Sequence, residues 1–562
     1  MTIYDERPWI KSYDQGIPPD FEIPQVTYTD LLEEAFIAKP QLPAMHFLGK
    51  TLSFSDLDTE SMRFAAFLKS AGMGPGGVVG IDLPNTPQYL ISLAGTLRAG
   101  CAATGISTLL SPKEMAYQIN DAGVEVLVIL DAFFEQKVQE IRDKVPGLRH
   151  IVVTNVIDYL PMHKRFLGKL LKKVPTGRID PIQGKEIISF RNLSDYPAKK
   201  PQVTINRGDT CLIQYTGGTT GMPKGTVLTH GNIADHLSQI NIWFELGEEI
   251  FCSGFPFFHQ AGLILCLAAM QTVNTQCLIP DPRNTLHICK EIAEHHPTIL
   301  VNVPSLYQML VEEPAFKKLD LSSVRFCLSG AAPFAVESIK ALERFTGSGT
   351  VVEVYGMTET SPIMTMNPVK GEKRIGTVGL PITNTRIKLV DVETGTKEVP
   401  LGEEGELIIR GPQVMKGYHN KPDETDHAIR DFDGEKWLFT GDVARMDPDG
   451  YFSIADRVKD MLIVGGFKVF SREVEESLYK HPDIEFCAII GLPNPDRPGS
   501  ELVKAVVQLK EGSKGKDLEI VKQDIINYSK QNMSPYKVPK IVEMVEEIPL
   551  TTVGKVDKKA LR

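Results

Sequence analysis

The residues with the clearest chemical content lie between Tyr215 and Gly225, where the chain reads "YTGGTTGMPKG". Glycines let backbone N–H groups approach an anion closely, threonine hydroxyls add donors, and Lys224 supplies positive charge, so the composition suits a phosphate cradle. An apolar strand, Cys211 to Tyr215, precedes the loop and the β-prone "TVLT" follows it. Asn232 is placed as the N-cap of a helix starting at Ile233. The order is therefore strand, loop, strand. A Walker loop runs into a helix and sets its lysine beside Ser or Thr; here Pro223 precedes Lys224 and Gly225 follows it, so that reading fails. A flexible hairpin tip stays open as the plainer alternative.

Other stretches carry residues of the same kind: "SGAAP" (329–333), "VYGMTET" (354–360), "FTGD" (439–442), "ADRVKDMLIVGGFKVF" (455–470) and "PLTTVGK" (549–555). Taken singly they say little. Glu359 alone is most simply a solvated carboxylate, "SGAAP" a turn and Lys555 a surface lysine. Asp442 and Arg457 allow a geometric argument. If Asp447 to Gly450 turn a hairpin, Asp442 lies across from Ala455, two residues before Arg457, and both side chains can project to one side. A structural salt bridge is the plainer outcome of that spacing.

The elements that must hold these residues alternate between helical and strand patterns through the first four-fifths of the chain. "DLDTESMRFAAFLKSAG" has apolar residues at helical spacing and a glycine stop, and "VEVLVIL" reads as a buried strand. "KEIAEHHPTILVNVPSLYQML" repeats helix, strand, helix. Such a pattern predicts an α/β fold with largely parallel sheets covered on both faces. Near residue 400 the texture shifts to short strands and turns, "GEEGELIIRGP" and "VARMDPDGYFSIADR". After Arg457 come helix, strand and loop in a small α+β unit, with the boundary expected at "DRVKD", Asp456 to Asp460. The expected division is 1–456, including a β-rich part at about 375–456, and 457–562.

Bulk properties bound the function. The 562 residues suggest about three to four folding units. A formal net charge of −10 argues against nucleic acid as the main partner, because that binding relies on concentrated Lys and Arg. The eight cysteines include no CxxC pair and mostly sit in apolar surroundings, which predicts buried free thiols rather than disulfides or zinc. The N-terminus has early acidic residues and no apolar core, so no secretory signal is expected. The longest apolar run, Gly262 to Met270, is about half of what crossing a bilayer takes. A cytoplasmic location is expected. "LPMHKRFLGKLLKKVP" (160–175) is basic and partly amphipathic; it is either a solvated excursion or a contact with the anionic inner membrane face.

The six motifs together, in this order, closely resemble those of the acyl-adenylate-forming superfamily of acyl- and aryl-CoA ligases, luciferases and peptide-synthetase adenylation domains. The resemblance runs along essentially the whole chain. It implies a large N-terminal domain of α/β sheet subdomains plus a β-rich subdomain, with a small mobile α+β C-terminal domain turning about a hinge near Lys459. It implies ATP and Mg2+ for adenylation of a carboxylate and CoA as acceptor of the acyl group. Thr216, Gly217, Gly218, Thr219, Thr220, Gly221 and Lys224 would hold the β- and γ-phosphates. Glu359 would be the magnesium ligand and Thr358 would contact the α-phosphate. Gly330, Ala331, Ala332 and Pro333 would form one adenine wall, and Tyr355, Gly356 and Met357 the other. Asp442 would take the ribose hydroxyls and Arg457 would help hold the nucleotide. Lys555 would bind the carboxylate and α-phosphate during adenylation.

Gly465, Gly466 and Phe467 would line the pantetheine tunnel. "FPFFHQAG" (255–262) matches the motif bordering the acyl pocket, with His259 as an aromatic wall near the carboxylate and Phe258, Leu263, Gly330 and Gly356 as further lining. Most of "ILCLAAM" is expected to pack as a helix. The overall style resembles bacterial medium- and long-chain fatty acid–CoA ligases, which points to a hydrophobic acid, with aryl and alicyclic acids open. Two departures stand out. Phe470-Ser471 replaces the Ser-Pro or Tyr-Pro common before "REVEE", and "GISTLLSPKE" replaces a more usual Asn-Pro form; either could alter domain contacts or the acyl pocket. Loading of a carrier-protein thiol, a silent nucleotide- or acyl-binding role, and a homodimer also stay open. The absence of a carrier domain after Arg562 favours free CoA, and the joint presence of Lys224, Glu359, Asp442, Arg457 and Lys555 argues against a silent homologue.

Overall fold

The computed structural model describes residues 2–161, 164, 175–216, 222–465, 467–495, 497, 500–549 and 556–561. Most of the basic stretch 160–175, and Gly217 to Gly221, Gly466 and Lys555, lie outside the described residues.

Two large sheets organise the chain. One runs in the order Gly417–Tyr418, Lys224–Thr229, Thr210–Thr216, Ala102–Gly105, Val78–Asp82, Val124–Leu130, His150–Thr154, Glu186–Ser189. The other runs Leu380–Pro381, Ile363–Met366, Val351–Gly356, Phe326–Ser329, Ile299–Asn302, Ile250–Ser253, Thr275–Leu278, Pro43–Phe47, Lys50–Ser53. Interior neighbours pair in parallel, while the first two pairings of each order, and the hairpin of Pro43–Phe47 with Lys50–Ser53, are antiparallel.

The apolar runs follow from burial on both faces. In Val124–Leu130, Val126, Val128 and Leu130 enter the central core, whereas Val124, Leu127 and Ile129 enter a second core under helix Pro112–Ala122. The second sheet alternates likewise: Phe251, Leu278, Val301 and Leu328 face the central core, and Cys252, Cys277, Leu300 and Cys327 face a third. Cysteine serves there as a small hydrophobe. All eight cysteines are buried free thiols, as the sequence predicts.

Helix starts are fixed by side chains. Ser53 and Ser111 form capping boxes with Asp56 and Glu114. Downstream of the glycine-rich loop the helix starts earlier than expected. It spans His230–Phe244 with Thr229 as N-cap, and Asn232 is the reciprocal partner in that capping box rather than the cap itself.

The β-rich part is a five-stranded antiparallel sheet of Arg386–Val390, Gly405–Arg410, Glu435–Met446, Ile429–Phe432 and Phe452–Arg457. Its hairpin register corrects the sequence estimate: Asp442 pairs with Arg457 itself, not with Ala455. The turn takes in Tyr451 as well, since Met446 faces Phe452, and a bulge at Val443/Ala444 shifts the strand once more.

Beyond this sheet, hairpin Leu462–Val464/Phe467–Val469, helices Ser471–Leu478 and Leu518–Asn532, and a sheet of Ile484–Pro493, Glu501–Leu509 and Ile541–Val545 enclose a separate core around Val474, Ile489 and Val507. Ser471 joins this unit to the five-stranded sheet. Its backbone N–H donates to Asp456, and its hydroxyl donates to Asp456 Oδ1 at 3.0 Å while accepting from Lys558 Nζ at 2.6 Å. Lys558 also pairs with Glu475 at 2.7 Å. Burial pushes the Asp456 carboxyl pKa up, and Lys558 pulls it back.

A proline at position 471 would lack both donors. Ser471→Pro is therefore expected to leave Asp456 under-satisfied and to destabilise the fold by about 1–3 kcal/mol, read from urea unfolding. Unchanged stability would contradict the linkage.

Candidate active site

Several of the sequence motifs follow the carboxyl end of a sheet strand, where the loops of open parallel sheets form their ligand crevices. Phe326–Ser329 runs into Gly330–Pro333, and its parallel neighbour Val351–Gly356 runs into Met357–Thr360, with Ser329 opposite Glu353. Ile250–Ser253 leads into the segment carrying Phe258 and His259, and in the other sheet Thr210–Thr216 leads into the glycine-rich loop. The two sheets meet at this end. A Cβ on Gly105 would lie 2.7 Å from the Cα of Phe258, and one on Gly356 would lie 1.8 Å from the Pro362 carbonyl oxygen, so both positions require glycine.

The loop of the opening motif has firm stems. Thr216 and Lys224 pair across the hairpin. Tyr215 Oη donates to Asp121 at 2.6 Å and Tyr117 Oη donates to the Pro223 carbonyl at 2.9 Å, so helix Pro112–Ala122 carries both sides. Lys421 approaches Asp121 at 3.5 Å.

Lys224 Nζ lies 4.8 Å from the Tyr418 ring centroid and 2.5 Å from Glu424 Oε2. The Tyr418 hydroxyl donates to Glu359 Oε1 at 2.7 Å. Glu359 is only 5% exposed. Burial pushes its carboxyl pKa up, while the Tyr418 hydrogen bond and the charges of Arg457 and Lys224 act to lower it. Hydrogen bonds to charged groups contribute about 1.5–3 kcal/mol, so the phenol offsets part of the cost of burying this carboxyl. Glu424 is held below its ordinary pKa by its hydrogen bond from Lys224.

A second buried carboxylate is held by Tyr355, the residue before Gly356. Asp442 is 3% exposed, accepts from the Tyr355 hydroxyl, and has Arg457 Nε 3.1 Å from Oδ1. Burial, then the charge of Asp442, keeps the Tyr355 phenol protonated far above its ordinary range. In the facing turn Ala331 has φ +68°, a left-handed conformation that costs an L-residue about 1–2 kcal/mol.

His259 is the N-cap of helix Gln260–Gln271, its side chain accepting from the Ala261 N–H at 3.2 Å, a role the sequence reading missed. The preceding segment is clamped by Asn85, which bonds the backbone of Phe255 and Phe257, and by Tyr89, which donates to Phe257 O at 2.9 Å. Gln260 donates to the Ser361 carbonyl at 3.2 Å, which joins this helix to the segment carrying Thr358 and Glu359. Leu263 and the rest of "ILCLAAM" are buried in the central core, as expected of a packed helix.

Other expected residues lie on the turn and hairpin that follow Arg457. Lys459 is exposed in the turn after Arg457, where Val458 N–H donates to Gly441 O at 2.9 Å. Gly465 N–H donates to Ser500 Oγ at 2.8 Å, and Phe467 is 57% exposed and stacked on Tyr536 at 4.7 Å between centroids. Tyr418, Glu424, Tyr117 and Asp121 were not singled out in the sequence. The two-residue strand Gly417–Tyr418 has no periodicity to announce it, and its partner Lys224–Thr229 is remote in the chain.

With this geometry in hand, comparison with known proteins gives a consistent answer. Residues 32–419 match the family model of AMP-binding enzymes and residues 473–555 match the AMP-binding enzyme C-terminal domain. A long-chain-fatty-acid–CoA ligase of Bacillus subtilis is 37% identical over 563 residues, covering 99% of this chain and 98% of the relative. A feruloyl-CoA synthase of Amycolatopsis sp. is 32% identical, covering 93% and 96%. Among solved structures, the anthranilate CoA ligase AuaEII in complex with anthranoyl-AMP matches with a TM-score of 0.80 and 27% identity over 96% of this chain and 97% of that one. ATP-bound MatB from Rhodopseudomonas palustris matches with a TM-score of 0.78 and 27% identity, covering 96% and 98%. The chain belongs to the AMP-binding enzyme family and is an AMP-forming acyl-CoA synthetase of the acyl-adenylate-forming superfamily.

Proposed function

We propose that this enzyme activates a hydrophobic carboxylic acid, most specifically a fatty acid. A carboxylate oxygen attacks the α-phosphorus of ATP, the bond to the bridging oxygen breaks, and pyrophosphate leaves. The sulfur of CoA then attacks the acyl carbon, the acyl–phosphate C–O bond breaks, and AMP leaves. The observation that carries the reading is the pair of buried carboxylates, Glu359 and Asp442, each held by a tyrosine hydroxyl and flanked by a cation.

Both reactants of the first step are anions, so the site must neutralise charge and align them. Lys224 and the glycine-rich loop take the β- and γ-phosphates. Among the described residues no group of three or more His, Cys, Asp or Glu side chains is arranged to hold a metal ion. Glu359 suits Mg2+ none the less, because that ion commonly takes one or two carboxylates and completes its shell with substrate phosphates and water. Bound there, it would offset charge on the phosphates. Asp442 has acceptor capacity left beyond Tyr355 and Arg457 and takes the ribose hydroxyls. Gly330–Pro333 and Tyr355–Met357 enclose the adenine, Thr358 contacts the α-phosphate, and Lys555 stabilises charge on the bridging oxygen.

We further infer that the chain divides near Asp456/Arg457, that Lys459 is the hinge, and that movement there brings Gly465, Gly466 and Phe467 to the pantetheine of CoA. His259 and Phe258 border the acid, and the apolar helix behind them favours a chain of methylenes. No helix among the described residues is long and apolar enough to cross a membrane. The basic stretch 160–175 supports a peripheral contact with an anionic membrane surface on its sequence alone.

Two measurements test this reading. In a panel of acids with ATP, Mg2+ and CoA, medium- and long-chain fatty acids should exceed ferulate and benzoate in kcat/KM by about tenfold or more, since each methylene in an apolar pocket contributes about 1–3 kcal/mol; preference for an aryl acid would overturn the fatty-acid assignment. Asp442→Ala should raise KM for ATP by about tenfold or more while kcat changes less, as expected for lost hydrogen bonds to a charged group of about 1.5–3 kcal/mol. An unchanged KM would remove Asp442 from the ribose role.

A further inference from the structure

One aromatic side chain touches both of the groups read here as facing the metal and the phosphates. Tyr418 donates its hydroxyl to Glu359 Oε1 at 2.7 Å, and its ring centroid lies 4.8 Å from Lys224 Nζ. Its backbone is unusually constrained for a residue in a loop-rich region. Tyr418 pairs with Thr226 on the strand that begins at Lys224, and its N–H donates to Thr425 Oγ1 at 2.8 Å. On either side, the Met415 N–H donates to the Glu359 carbonyl at 2.8 Å and the His419 N–H to the Gly225 carbonyl at 2.7 Å. The segment 415–419 is thus stitched to the backbone of Glu359 at one end and to that of the glycine-rich hairpin at the other.

We propose that Tyr418 is a positioning residue that sets the distance and orientation between Glu359 and Lys224, and so couples metal binding to phosphate binding. The two groups belong to different sheets: Lys224 begins a strand of one, and Glu359 follows a strand of the other. A carboxylate and an ammonium placed separately by two sheets would inherit every small displacement between them. A single planar ring removes that freedom. Its edge hydroxyl fixes one carboxylate oxygen and leaves the other oxygen of Glu359 to a cation. Its face attracts the ammonium through the ring quadrupole without consuming any of the three N–H donors. One of those donors goes to Glu424 Oε2 at 2.5 Å, and the other two are left for phosphate oxygens.

Phenylalanine and alanine remove different parts of this arrangement, which makes the two roles separable. Phenylalanine keeps the ring face toward Lys224 and loses the hydroxyl on Glu359. Alanine loses both.

The inference rests on the reading of Glu359 as the metal-facing group, so the test includes Glu359→Gln as a reference. The readout is equilibrium binding of ATP, by calorimetry on the full chain, with Mg2+ and with EDTA. Mg2+ should tighten ATP binding to the wild type. In Tyr418→Phe that Mg2+-dependent gain should fall by about tenfold, the effect of one lost hydrogen bond to a charged group, while affinity in EDTA stays within about twofold. In Tyr418→Ala the affinity in EDTA should fall as well, through Lys224. Thermal unfolding of Tyr418→Phe should match the wild type, so a packing defect cannot supply the difference. A Tyr418→Phe enzyme with the full Mg2+-dependent gain overturns the proposal while leaving the site reading in place. A Glu359→Gln enzyme with the full gain overturns the site reading, and the proposal with it.

Discussion

Two buried carboxylates, Glu359 and Asp442, are the constraint around which this structure is arranged. Burial penalises the charged form of a carboxyl and pushes the Glu359 pKa up. Each carboxylate accepts from a phenol, Tyr418 at Glu359 and Tyr355 at Asp442; Arg457 pairs with Asp442, and Lys224 lies over the Tyr418 ring. The phenols matter as much as the cations. They donate without adding charge, so they hold the carboxylates in place by hydrogen bonds alone. Between Tyr355 and Glu359 in the chain lies Gly356, where a side chain would run into the Pro362 carbonyl.

The fold exists to bring these groups to one place from many parts of the chain. Parallel sheets do so because every strand delivers its following loop to the same edge. Here two such sheets abut, one bringing the glycine-rich loop and the other the segments after Ser253, Ser329 and Gly356. The closeness of Gly105 and Phe258 marks the seam. The five-stranded sheet then contributes Asp442 and Arg457 as direct neighbours on a hairpin, and Gly417–Tyr418 crosses from that region to extend the sheet of the glycine-rich loop. Ser471 and Lys558 close on Asp456, immediately before Arg457, so the C-terminal unit is tied to the same hairpin that carries Asp442 and Arg457.

Much of this was legible in the sequence for identifiable reasons. Buried parallel strands read as apolar runs, and "VEVLVIL" became Val124–Leu130. The absence of a helix after the glycine-rich loop, together with Pro223 and Gly225 around Lys224, correctly separated this loop from the Walker type. Local rules failed where a neighbour decided the outcome. Asn232 has the right chemistry for an N-cap, but Thr229 caps and Asn232 answers it from within the first turn. The hairpin register between Asp442 and Arg457 depends on a bulge that no turn signature encodes. Tyr418 and Glu424 were invisible because their significance is purely tertiary: a two-residue strand and a short helix become informative only once they stand over Lys224. Ser471 was noticed as an oddity, and its purpose emerged only with Asp456 and Lys558 around it.

The central claim is that the acid's own oxygen attacks the α-phosphorus of ATP. It is tested most directly by turning over an acid labelled with 18O in its carboxylate and analysing the nucleotide released with CoA present. The account predicts AMP carrying one 18O atom and unlabelled pyrophosphate. Unlabelled AMP, or label appearing in phosphate or pyrophosphate, would contradict it.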